Sequence, residues 1–97
     1  MKTIKFTWND IKAKLNLTKH KISFDEAKTV FDDEYARLMY DPDHSEDEDR
    51  FILLGFSAKS KILTVVHCHR DDEYNIRIIS ARKSTKSEIK QYKEYIS

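Results

Sequence analysis

The sequence predicts an α+β domain built on one mostly antiparallel sheet, with the element order β-α-α-β-β-β-β-α. Strand-like apolar blocks follow one another between residues 35 and 80, separated by polar turns and not by helices. Two capping-box signatures, Ser23-Phe24-Asp25-Glu26 and Thr85-Lys86-Ser87-Glu88, each open a helix outside that run. At 97 residues the chain can bury one core, and two would be too small to stand alone, so residues 1–97 read as a single domain.

Each element has a local reason. Thr3 to Trp8 alternates, with Ile4, Phe6 and Trp8 on one face and Lys5 and Thr7 on the other. Asn9 or Asp10 can cap a helix through about Thr18, with Ile11 and Leu15 four apart on one side. In the first capping box the Ser23 oxygen accepts from the Glu26 amide while the glutamate reaches back. The buried side of that helix includes Phe24, Ala27, Val30 and Phe31. Tyr35 to Tyr40 reads as a strand, and Asp41 to Asp49, containing Pro42, as an acidic loop. Phe51 to Phe56 is apolar on both faces, as a central strand would be. Ala58-Lys59-Ser60 is a turn, Ile62 to His69 a long strand, Arg70 to Tyr74 a polar turn, and Asn75 to Ser80 the last strand. The second capping box starts a helix carrying Ile89, Tyr92 and Ile96.

Composition narrows the function classes. Charged residues make up 36% of the chain, against the usual quarter. The single cysteine, Cys68, excludes an internal disulfide and fits a reducing compartment. No apolar stretch approaches the ~20 residues of a membrane span, and the N-terminus lacks an apolar signal region. The expected location is the cytoplasm, with no membrane partner. The net charge of +1 hides segregation. Residues 1–31 are net +4, residues 32–49 carry nine acids against Arg37, and residues 50–97 are net +5. A polyanion would meet two basic blocks and avoid the acidic one.

Ile76-Arg77-Ile78-Ile79-Ser80-Ala81-Arg82-Lys83 holds the sharpest chemical signal. An arginine in a β-branched strand is costly to desolvate unless it faces a cleft or meets an anion. Its planar fork can give a phosphate two directed hydrogen bonds, and a cross-strand acid would satisfy it equally well. Arg82 and Lys83 sit where the strand meets a helix N-terminus, which adds positive potential; Arg70 lies in the preceding turn. Lys19-His20 lies between the first two helices, where a histidine could move a proton or simply bond a carbonyl. Trp8 could stack on a base or fill the core.

Other motifs are excluded. On a strand, His67 and His69 share one face and Cys68 points away, so His67-Cys68-His69 supplies at most two metal ligands. Asp41-x-Asp43-x-Ser45-x-Asp47 hints at a calcium loop, but Glu46 replaces the turn glycine and Ile52 the bidentate glutamate. One glycine in the chain rules out a phosphate-binding glycine loop, and no Gly-x-Ser-x-Gly nucleophile motif occurs. No metal or cofactor is expected.

Phe6-x-Trp8-Asn9-x-x-Lys12-x-x-x-Asn16-x-x-Lys19-His20-x-Ile22-Ser23-Phe24-x-Glu26-Ala27-x-x-Val30-Phe31 resembles the opening of BrnT-type toxins. Glu48-x-Arg50-Phe51, Gly55-x-Ser57, Leu63-x-Val65-Val66, Arg70 and Ile76-Arg77-Ile78-Ile79-Ser80-Ala81-Arg82-x-x-Thr85-x-x-Glu88-x-x-x-Tyr92 extend the resemblance over nearly the whole chain. It departs at Lys21, where the family usually has glycine, and at Asn9, where it usually has aspartate.

The resemblance implies a RelE-like fold and a ribonuclease that cuts RNA and inhibits translation. It also implies a cognate BrnA-like antitoxin that binds DNA, so that DNA is met only through the antitoxin. A homodimer inside such a complex is compatible with it. A metal-independent cut needs cations for the phosphorane charge and a proton carrier. The expected catalytic residues are Arg77, Arg82 and His20, with Lys19 or Lys12 able to substitute for the histidine. Trp8, Lys12, Lys19, Arg70 and Lys83 are the expected RNA contacts. Two alternatives stay open: a non-catalytic RNA- or protein-binding module, and a degenerate, inactive toxin.

Overall fold

The structure, a computed structural model, describes residues 3–44 and 48–96, which form five strands and three helices. In chain order they are β1 (Lys5–Thr7), α1 (Asp10–His20), α2 (Phe24–Thr29), β2 (Arg37–Asp41), β3 (Arg50–Phe56), β4 (Ile62–His69), β5 (Asn75–Lys83) and α3 (Lys86–Ile96). Single 3₁₀ turns at Val30–Asp32 and Pro42–His44 interrupt the expected order. Part of the expected acidic loop, residues 45–47, lies outside the described residues, as do Ser45 and Asp47 of the rejected calcium motif.

The strands form one sheet in the order β1-β5-β4-β3-β2. β2, β3, β4 and β5 meander antiparallel, but β1 runs parallel to β5, pairing Lys5, Phe6 and Thr7 with Asn75, Ile76 and Arg77. The sheet is therefore mixed, which corrects the mostly antiparallel expectation. Side-chain alternation has the same period in either pairing, so it carries no information on strand direction.

α1 and α2 cover one face of the sheet. Ile22, Phe24, Ala27 and Val30 pack there against Leu53, Leu63, Val65, Ile78 and Ala81. Asn9 caps α1 by accepting from the Lys12 amide at 3.0 Å, and Ser23 caps α2 by accepting from the Glu26 amide at 3.0 Å. Glu26 does not reach back as a capping box would. Its carboxylate is buried and accepts from the Ser57 hydroxyl at 2.7 Å, tying α2 to the β3–β4 turn. Ile11 and Leu15 are 70% and 63% exposed, so the apolar pair expected to define the inner side of α1 faces solvent. Asn16 and half-buried Ala13 and His20 turn inward instead.

α3 crosses the opposite face. Its buried Tyr92 meets Phe56 edge-to-face at 5.6 Å, and its hydroxyl donates to Asp33 at 2.6 Å. Asp33 also accepts from the Phe56 and Tyr35 amides at 2.9 and 3.0 Å. Burial alone would raise its pKa, but these bonds outweigh it and leave the carboxyl below its ordinary value. Gly55 is needed for space at this junction: a Cβ there would lie 2.8 Å from the Asp33 carboxylate and 3.1 Å from Val30.

Candidate RNA-cleavage site on β5

A β-bulge decides which way the β5 arginines point. Val66 registers with Ser80 but His67 with Ile78, leaving Ile79 without an opposite residue. Plain alternation would put Arg77 and Arg82, five positions apart, on opposite faces. The extra residue restores a common face. Arg77 registers with Cys68 and Arg82 with Thr64, which share a parity on β4. Both guanidiniums therefore leave the sheet on the side away from α1 and α2, separated by roughly 13 Å along the strand.

The two arginines differ in what holds them. Arg77 is half-buried and makes no hydrogen bond or ion pair among the described residues. Arg82 forks onto Glu88, with Nη1–Oε1 at 2.7 Å and Nη2–Oε2 at 3.0 Å. Glu88 also accepts from the Thr85 amide at 2.8 Å, and its own amide donates to the Thr85 hydroxyl at 3.2 Å. The second capping box is thus complete, and the same carboxylate orients Arg82. The Arg82 bonds hold the Glu88 pKa at about 2 against the upward effect of burial, helped by the Thr85 amide. Glu88 in turn raises the pKa of Arg82.

β1 covers β5 only as far as Arg77, so the far half of that edge has no strand beside it. Asn16 of α1 fills the role. Its carboxamide accepts from the Ala81 amide at 3.0 Å and donates to the Ala81 carbonyl at 2.8 Å, as a neighbouring strand would. Its remaining N–H donates to the Ile22 carbonyl at 2.9 Å. Lys12 and His20 lie one turn either side of Asn16, on the same stripe of α1. That stripe borders the segment of β5 that carries Arg82. Lys21, at the glycine position of the resemblance, adopts φ 62° as the left-handed cap of α1, and its ammonium donates to the Thr18 carbonyl at 3.0 Å.

The other expected contacts are more dispersed. Lys19 is exposed on the last turn of α1, and Lys83 is exposed at the end of β5. Arg70 is paired with Glu48, Nε–Oε2 being 3.3 Å. Trp8 belongs to the helical layer: it meets Phe24 edge-to-face at 5.9 Å and lines a pocket of about 180 Å³ with Ala13 and Leu17. The structure thus puts Arg77 and Arg82 on one face of β5, Lys12 and His20 on α1 along the edge of β5 that Asn16 closes, and Trp8 in the helical layer across the sheet from the arginines. Asn16 and Glu88, both part of the family pattern, are not among the site residues expected from sequence, where Glu88 serves only as a helix cap. A polar residue among inward positions and the acid of the capping box were the available signals.

His67 is buried on the helix face, against Phe31 at 4.9 Å and Phe51 at 6.0 Å, with no partner for Nδ1 among the described residues. Burial, with the nearby His69 charge adding to it, pushes its pKa down to about 4 from 6.5. A depressed histidine means the unfolded chain binds more protons, so stability falls as pH drops from 6.5 toward 4. Glu88 adds a second loss as pH drops from 4.5 toward 2. Urea unfolding across pH should show both windows, with Glu88→Gln losing only the lower one. A single smooth decline unchanged by that substitution would contradict this assignment.

The described geometry can be set against known proteins. Residues 8–88 match the family model described as ribonuclease toxin, BrnT, of type II toxin–antitoxin system. The chain belongs to the BrnT toxin family. A crystal structure of the Brucella abortus ribonuclease toxin BrnT superposes with a TM-score of 0.64 at 22% identity, covering 87% of this chain and all of that one. It shares the fold. No curated protein is similar enough to count as a match. As a BrnT toxin of a type II system, the chain is a ribonuclease toxin with an RNA target and an antitoxin partner. No helix among the described residues is long and apolar enough to cross a membrane.

Proposed function

We propose that this BrnT toxin cuts RNA without a metal, on the face of β5 that carries Arg77 and Arg82, and thereby inhibits translation in the cytoplasm until a BrnA-like antitoxin binds it. The observation that carries the reading is half-buried Arg77, held on a sheet strand with no hydrogen-bond or ion-pair partner among the described residues. Such a cation is desolvated without compensation unless an anion completes it.

In this reading the RNA 2′-hydroxyl attacks the adjacent phosphorus, forming the O2′–P bond as the P–O5′ bond breaks. Arg77 and Arg82 carry the charge that builds on the phosphorane oxygens. His20, on α1 at the edge of β5, takes the 2′ proton of an RNA that crosses that edge from the arginines' face and returns one to the departing 5′ oxygen, with Lys12 or Lys19 in support. Lys83 and Arg70 contact flanking phosphates, Arg70 after releasing Glu48. Trp8 serves RNA only through a base that reaches the helical layer.

The test is cleavage of a defined RNA by purified protein in EDTA. Wild type should release product, and His20→Ala and Arg82→Ala should each release less. Loss of cleavage in chelator would remove metal independence, and unchanged rates in both variants would remove their assignments. One observation favours the binding-module alternative: the bidentate grip of Glu88 leaves Arg82 less free for phosphate. That alternative predicts RNA retention with steep salt dependence and no product.

A further inference from the structure

We propose that the outer edge of β2 docks a basic, extended segment of a partner protein, which joins the sheet as a sixth strand. β2 ends the sheet order, so its outer row of backbone groups has no strand partner among the described residues. Edges are commonly blunted by lysine, proline or a bulge. Leu38-Met39-Tyr40 carries neither residue, and β2 pairs with β3 in unbroken register from Arg37–Leu54 to Asp41–Arg50. Arg37 is drawn off the edge, its guanidinium carbon 5.6 Å from the centre of the Tyr95 ring.

The side chains add an apolar track. Leu38 and Tyr40 are 56% and 52% exposed, and both lie on the face of core residue Leu53, beyond the cover of the helices. Tyr40 leans on Phe51 at 5.7 Å and Phe51 on His69 at 5.1 Å, so the strip continues inward. β-Augmentation uses these two features together: main-chain bonds give affinity and alternate side chains give specificity.

Charge selects the occupant. Residues 32–49 hold nine acids and one base. Asp32, Glu34 and Asp43 are exposed and form no ion pair among the described residues, and Glu34 and Asp43 bracket the strand. A strand bearing lysine or arginine between apolar residues relieves this field. A second copy of the same edge would double it, and RNA would be repelled. This surface lies across the sheet from Arg77, so it stands or falls separately from the ribonuclease mechanism.

The probe is a short acetylated peptide of alternating lysine and valine, titrated into the isotope-labelled full chain. Its control alternates lysine and proline, keeping the charge but unable to pair as a strand. Shifts should centre on residues 37–41, the β2 amides should gain exchange protection, and affinity should exceed the control about tenfold and weaken with salt. Leu38→Lys combined with Tyr40→Lys should abolish the effect while RNA cleavage stays unchanged. Equal binding of both peptides, shifts centred elsewhere, or no binding would overturn the proposal. A concentration-dependent dimer of the free chain, abolished by Leu38→Lys, would also overturn it and assign the edge to a second copy.

Discussion

Arg77→Ala should slow RNA cleavage about 10²–10³-fold, the usual cost of removing one preorganised donor to developing charge. It should do so without lowering stability. The side chain makes no hydrogen bond or ion pair among the described residues, so truncation breaks no polar contact there. It also relieves the desolvation of a half-buried cation, and the melting temperature should hold or rise slightly. Arg77→Lys should recover only part of the rate, because an ammonium keeps the charge but loses the planar fork that matches two phosphate oxygens. The contrast with Arg82 is informative. Arg82→Ala breaks the bidentate pair with Glu88, the carboxylate that also caps α3, so lost activity there comes mixed with lost stability. Full cleavage by Arg77→Ala at wild-type stability would end its role as a charge stabiliser.

The chain exposes its elements more readily than their relations. Ile62–His69 was recoverable residue for residue because β-branched apolar residues bounded by turns leave little choice. Both helix starts at Ser23 and Thr85 followed from short-range hydrogen bonding, which is written locally. Long-range choices were not. The parallel partner of β1 depends on where a meander ends, and no local pattern records that. The bulge at Ile79, which alone brings Arg77 and Arg82 to one face, has no composition signature, since isoleucine suits a regular strand equally well. Ile11 and Leu15 obeyed helical spacing yet face water. The inward direction of α1 was set by a polar residue, Asn16, whose partners are 65 positions away. The spacing Ser23 to Glu26 predicts a carboxylate that reaches back to the cap, but that carboxylate serves the β3–β4 turn, an outcome visible only after the strands are stacked.

Asn16→Ala should cost about 3 kcal/mol, from three buried hydrogen bonds near 1 kcal/mol each and the unsatisfied groups they leave. The lost partners are the Ala81 amide, the Ala81 carbonyl and the Ile22 carbonyl, all placed where water has little access. Asn16→Asp should be no milder. It keeps an acceptor for the Ala81 amide but turns carboxylate lone pairs toward two carbonyl oxygens that need donors. Urea unfolding measures the loss, and hydrogen exchange at the Ala81 amide locates it, because that amide should open before the rest of β5. Cleavage should fall together with stability, since α1 carries Lys12 and His20 along the same edge that Asn16 fastens. A variant that lost less than 1 kcal/mol would mean that apolar packing of Ile22 and Ala13 holds α1 to the sheet unaided. His20, the proposed proton carrier, would then owe its position to packing and not to the carboxamide.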